Sequence, residues 1–377
     1  MEERPKFDEK ADREATEELE RLTANHATQQ LERVRPAGRR QPDDATQVAL
    51  DAPPRKKRGT RDALHYAANV IGVSALLYWG VSALLRLGTG KLFTLFHAGA
   101  TLESPVAVPE WALGLANLLL PALSLLAAYG FAKAAAAGGP LAWKLTLKMP
   151  HKPVLWLFLP VFLGASLLCD LFTSVFQRFL AAHTPYTPPA AVGLPDSGFA
   201  MLLYFLGMCV VPALLEELLV RGAMQQMLSR WGVWFSVIVS SVVFTLLHTD
   251  LAAMPGLFVS SVLLGLAAYC TGSLAVGIGF HFANNVMAFC FLYATQKMDG
   301  VSALALTGYL MLMFVLAALG CAVFIWRNKV MSLFRPIPRV YDPKNRQSRF
   351  ERLATTPLFL LTMLGLAVRA VLPLFLK

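Results

Sequence analysis

Polar side chains stand inside three apolar stretches between Glu216 and Asn285, which read VPALLEELLVRGAM, FTLLH and HFANN. A charged side chain at the bilayer centre costs about 3 kcal/mol on insertion scales, so such groups face a bundle interior or a wet cavity. Carboxylates and imidazoles gathered there can activate water and pass protons, and amides can hold a developing anion. The first stretch carries Glu216, Glu217 and Arg221. Helix residues four apart are neighbours, so Glu217 and Arg221 are expected to pair, while Glu216 points about 100° away and stays available. The same spacing puts Phe244 with His248, and His281 with Asn285, on single helical faces. Taken singly, each has an ordinary reading: helix glue for Glu217 and Arg221, an interfacial histidine for His248 beside Asp250, interhelical hydrogen bonds for His281 and Asn285. In one chain and in this order they point to a common site.

The carrying elements must bring these groups to one depth. Trp231 and Gly232 read as a turn; about 22 Å of helix separates it from Glu216 on one side and about 25 Å from His248 on the other. Thr271 to Ser273 read as a second turn, with His281 and Asn285 roughly 14 to 20 Å beyond it. A continuous helix from Phe199 to Arg230 would run about 48 Å against a hydrocarbon core of about 30 Å, so it is expected to tilt or to extend out of the membrane. Pro212, one turn before Glu216, is expected to kink it and free a carbonyl toward the cavity.

The order EExxxR, FxxxH, HxxxN, with TGSL shortly before the last histidine, resembles the CPBP family of intramembrane proteases, which includes type II CAAX prenyl endopeptidases and bacteriocin-processing relatives. The resemblance covers roughly Phe199 to Tyr293. It implies that Glu216 and His248 act on a water and that His281 and Asn285 form an oxyanion hole, with Glu217, Arg221 and Phe244 in support. Physical chemistry agrees: desolvation makes a carboxylate a stronger base, and one lost oxyanion donor costs about 3 to 4 kcal/mol. Two histidines and a carboxylate also make a common catalytic zinc set. No HExxH helix is present, and a metal on His281 would remove it as an oxyanion donor. Metal-free glutamate chemistry is therefore the expectation, no metal ligand is assigned, and a divalent metal such as zinc stays open as a cofactor.

Composition sets the frame. The chain has 377 residues, 56% hydrophobic and 15% charged, with a mean hydropathy of +0.52. That is a polytopic membrane protein, an all-α transmembrane bundle of about eight or nine helices around a polar intramembrane site. The net charge of +10 does not argue for nucleic acid, because Lys and Arg cluster between apolar spans as the positive-inside bias requires. The five cysteines fall inside apolar segments without CxxC spacing and read as small buried residues. The first 60 residues are polar, so no cleavable signal is expected and the run from Leu64 serves as an uncleaved start-transfer helix.

Four regions follow: a charged cytoplasmic tail at 1–62, N-terminal transmembrane helices at 63–197, a CPBP-like core at 198–295, and C-terminal helices with a basic loop at 296–377. Within the tail, Met1 to Arg35 reads as a solvated helix and Pro36 to Asp62, with PPRKKRG, as a disordered linker that touches anionic headgroups. Nine apolar segments alternate with loop charge: Lys133, Lys144, Lys148 and Lys152, Arg221 with Arg230, and the run Arg327 to Arg352 fall on the cytoplasmic side with the N-terminus. Asp170 reads as a helix-packing or interfacial group, and Arg369 as a side chain that snorkels to the interface.

The expected function is an intramembrane endopeptidase acting on a membrane-associated peptide or lipidated protein, CAAX-type or bacteriocin-like, in a bacterial cell membrane. Its partners are that substrate and the bilayer, with no nucleic acid. The alternative is a non-catalytic immunity or scaffold protein that keeps the fold. A transporter is disfavoured, since the two halves of the chain show no internal repeat.

Overall fold

The computed structural model describes residues 60–96, 108–137, 141, 146–150, 153–189, 193–333 and 346–375. The expected tail helix, the linker up to Gly59 with its basic cluster, and the loop charges at Lys144, Lys152, Arg335, Arg339 and Lys344 lie outside the described residues. Among those described, the secondary structure is helical, with no strand.

Helices α1 (Thr60–Phe96), α2 (Glu110–Ala136) and α3 (Phe158–His183) precede a long helical run, α4 (Gly198–Trp231). Then follow α5 (Val233–Leu247), α6 (Met254–Thr271), α7 (Leu274–Lys297), α8 (Gly300–Arg327), α9 (Arg346–Ala354) and α10 (Pro357–Val371). Their boundaries are written locally. Ser197 and Asp299 cap α4 and α8 by accepting from the amides of Ala200 and Ser302. Gly232, at φ 113°, makes the turn into α5, and left-handed Gly272, at φ 66°, ends α6. Both turns fall where Trp231–Gly232 and Thr271–Ser273 place them in the sequence.

Among the described residues, eight helices are long and apolar enough to cross a membrane. The chain is an integral, multi-pass membrane protein with an all-α polytopic fold. One further apolar segment, α5, has only 15 residues, about 22 Å of rise against a core of about 30 Å. α1 continues to Phe96, and Phe93 packs with Val108 just ahead of α2.

Two apolar clusters flank the middle of the bundle. One joins α1, α2, α4, α5 and α10 through residues such as Ile71, Leu125, Met224, Val243 and Leu366. The other joins α3, α6, α7 and α8 through Leu167, Leu264, Phe280 and Ile325. The outward faces carry Leu84, Leu304, Leu316 and Leu361, large apolar side chains suited to lipid. A cavity with polar side chains in its wall opens beside the second cluster, whose Phe162 and Leu264 also line it.

Candidate active site

The cavity, about 510 Å³, is walled by α3, α4, α5, α6 and α7, and Glu216, His248, His281 and Asn285 all line it. The structure thus brings together the four side chains singled out by type and spacing, from three separate helices. Phe244, Asn284, Pro212, Ser166 and Asp170 share the lining.

Glu217 stands directly behind this wall. It is fully buried and pairs with Arg221 at 2.7 Å, the expected i,i+4 contact. Its Oε1 also accepts from His281 Nδ1 at 3.1 Å. Arg221 is buried too: Nη2 donates to the carbonyl and hydroxyl of Ser261, tying α4 to α6, and its guanidinium lies 5.1 Å from the Phe244 ring centroid. The Phe244 ring meets His248 edge-on at 4.8 Å and His281 at 6.4 Å. Phe244 is therefore the apolar hub on which both imidazoles lean. Gly277, one turn before His281, admits this arrangement, because a Cβ there would meet Glu217 Oε2 at 2.7 Å.

Hydrogen bonding fixes both tautomers. His248 Nδ1 lies 3.0 Å from the Phe244 carbonyl, which can only accept, so Nδ1 carries the proton and Nε2 is the free nitrogen. His281 Nδ1 likewise donates to the Glu217 carboxylate, and its Nε2 stands 3.8 Å from Glu216 Oε2. A neutral His281 then offers a lone pair at Nε2. Donation from that atom to an oxyanion requires a second ring proton, which differs from the expectation of a neutral donor.

α4 departs from regular helix on both sides of Glu216. Leu206–Val210 and Leu218–Gln225 follow the wider i to i−5 pattern, a feature frequent at functional sites. Pro212 follows the first wide turn, so the expected break is taken up by a change of ladder.

One contributor escaped sequence reasoning, and two that the sequence singled out take definite places. Gln225, one turn beyond Arg221, is buried and donates to the Gly265 carbonyl, extending the i,i+4 ladder of α4 onto α6; its place in the register Glu217–Arg221–Gln225 was the available signal. Asp170, on α3, stands in the wall of the cavity. Arg369, expected to snorkel, reaches the carbonyls of Leu246, Leu247 and His248 at 3.1 to 3.3 Å, because carbonyls at a helix end have no partner within the helix.

The turn after His248 is held by Asp250, whose carboxylate accepts from Tyr186 Oη at 2.6 Å, Gln177 Nε2 at 2.9 Å and the Ala252 amide at 3.0 Å. Burial first, and then the bond to Asp250, pushes the Tyr186 phenol above its ordinary range.

Residues 198–287 match the family described as type II CAAX prenyl endopeptidase Rce1-like. This segment is an Rce1-like domain of the CPBP family. At the level of the family it is of the CAAX-type intramembrane protease class. All seven residues of the EExxxR, FxxxH and HxxxN motifs lie inside the Rce1-like segment, whereas Asp170 and Arg369 lie outside it. Comparison with curated proteins and with solved structures yields no match. Among the described residues, no three His, Cys, Asp or Glu side chains are arranged to hold a metal ion.

Proposed function

We propose that the protein is a membrane endopeptidase that hydrolyses a peptide bond inside this cavity with a water activated by Glu216 and His248. The observation that carries the reading is the meeting of Glu216, His248, His281 and Asn285 on one cavity whose back wall is braced by the buried Glu217–Arg221 pair.

Glu216 takes a proton from water as the oxygen adds to the scissile carbonyl, and His248, through its free Nε2, orients that water. The Asn285 amide donates to the developing oxyanion, and His281 joins it when both ring nitrogens carry protons, with Nδ1 still on Glu217. Collapse of the tetrahedral intermediate breaks the C–N bond while the proton held by Glu216 passes to the departing amine. Glu217, Arg221 and Phe244 support these groups without touching the substrate. A divalent cation such as zinc would need Glu216, His248 and His281 to draw together from the places they hold, since among the described residues no three such side chains are arranged for an ion. Loss of cleavage on chelation, with recovery on adding zinc, would establish that variant.

The substrate is a membrane-associated peptide or lipidated protein entering from the bilayer, and the N-terminus faces the cytoplasm of a bacterial cell. The test compares peptide termini in membranes from cells carrying wild type, Glu216→Gln or no gene, at equal levels of folded protein. Termini unique to the wild type name the substrate. If Glu216→Gln reproduces the wild type in termini and in phenotype, the non-catalytic immunity or scaffold reading replaces this one.

A further inference from the structure

The last four carbonyls of any α-helix have no partner within the helix, and inside a membrane they cannot be left to water. α5 ends against α10, and the fate of its four carbonyls can be followed completely. Phe244 O accepts from His248 Nδ1 at 3.0 Å, and Thr245 O accepts from the His248 amide at 3.1 Å. Leu246 O and Leu247 O accept from Arg369 Nη2 at 3.3 and 3.1 Å. The same nitrogen reaches His248 O at 3.3 Å. His248 itself therefore closes half of the helix end, and Arg369, arriving from α10, closes the other half together with the carbonyl of His248.

We infer that Arg369 is a positioning residue for His248: it caps the helix end that the histidine completes and so aims the free Nε2 into the cavity. Its catalytic consequence rests on the proteolytic reading above, but its structural core does not. Ring and backbone of His248 are locked by hydrogen bonds to the helix they terminate. That lock holds only while the neighbouring carbonyls have a donor. Without Arg369, Leu246 O, Leu247 O and His248 O are left unpaired in an apolar setting, and the chain regains pairing only by rewinding or fraying the turn that carries His248. α10 lies beyond the Rce1-like segment and packs on α1 and α5, so this support comes from outside the domain that bears the motifs. A lysine can donate to several carbonyls from one nitrogen and preserves the function in part; methionine cannot.

The test needs no substrate. Purified wild type, Arg369→Met and Arg369→Lys are treated with diethyl pyrocarbonate, which acylates an unprotonated imidazole nitrogen, and modification is followed residue by residue by mass spectrometry. The expected result is a change of about three-fold or more in the rate at His248 in Arg369→Met, with His183 and His281 unaltered and Arg369→Lys close to wild type. An unchanged rate at His248 overturns the inference. If Arg369→Met does not yield folded protein, Arg369→Gln, which can pair with only one or two carbonyls, carries the same comparison. Membrane termini are measured in parallel. If they persist in Arg369→Met but vanish in Glu216→Gln, the catalytic consequence fails while proteolysis stands. If they persist in Glu216→Gln, the proteolytic reading fails and the acylation rates still decide the placement of His248.

Discussion

Glu216 and Glu217 are adjacent in sequence yet belong to different environments, and the difference is set by helical rotation alone. Glu217 turns inward to Arg221 and to His281 Nδ1; Glu216 turns to the cavity and to His281 Nε2. Removing one partner of a buried pair leaves the other charge uncompensated, typically a loss of 3–5 kcal/mol. Glu217→Gln is therefore expected to lower the thermal midpoint in detergent far more than Glu216→Gln, which a melting curve of each variant checks. Gly277→Ala places a methyl against Glu217 Oε2, a flexible end that is nonetheless tethered by Arg221 and His281. That variant should fold and lose at least ten-fold in cleavage rate, measured against wild type on the same peptide; an unchanged rate would mean that Glu217 can move without disturbing His281. The Glu217–Arg221 pair was legible because its spacing is local. The bond from Glu217 to His281 spans 64 positions, and no periodicity announces a contact of that kind.

At the scale of elements, α4 and α6 are joined by a ladder of buried polar bonds: Arg221 on Ser261, then Gln225 on Gly265. Arg221 serves two helices with one fork, donating from Nη1 to Glu217 and from Nη2 to Ser261. A lysine has a single nitrogen and cannot span both. Arg221→Lys should thus destabilise the fold and reduce activity, whereas Ser261→Ala, which keeps the backbone acceptor, should cost only about 1 kcal/mol; comparing the two midpoints tests the division of labour. The turn after α5 is anchored by Tyr186 on Asp250. The phenol is raised above its ordinary value of about 10, so the neutral form is favoured in the folded state. Its contribution is complete below pH 10 and is lost as pH rises through the folded value. Loosening of this turn above about pH 10, absent in Tyr186→Phe, is the expected signature in hydrogen exchange. Sequence reading found α4 to α7 and two of the three turns between them, those at Gly232 and Gly272, which take a positive φ. What an apolar run of 15 residues does not show is where the carbonyls at its end find their donors.

For the whole molecule, the apolar pattern gave the all-α membrane class, and the described helices bear it out with eight long spans. What stayed hidden was the role of the last segment: nothing in its apolar sequence distinguishes a lipid-facing arginine from one that caps another helix. α10 completes the apolar cluster with α1, α2, α4 and α5. A chain ending at Ala354 is expected to lose folded yield and activity even though residues 198–287 are intact. Counting α5 as a pass, the N-terminal end of α1 and the C-terminal end of α10 should lie on opposite membrane faces. Single cysteines placed at Thr60 and Phe375 and labelled with a membrane-impermeant reagent would show it, and labelling from the same side would contradict it. The central claim is tested most directly by purifying wild type and Glu216→Gln and measuring both on a peptide spanning the cleavage site found in membranes. A general base in this position contributes about 10²–10⁴-fold. Glu216→Gln is expected to lose that much in kcat, with little change in KM and an unchanged thermal midpoint. Equal kcat values for the two proteins would contradict it.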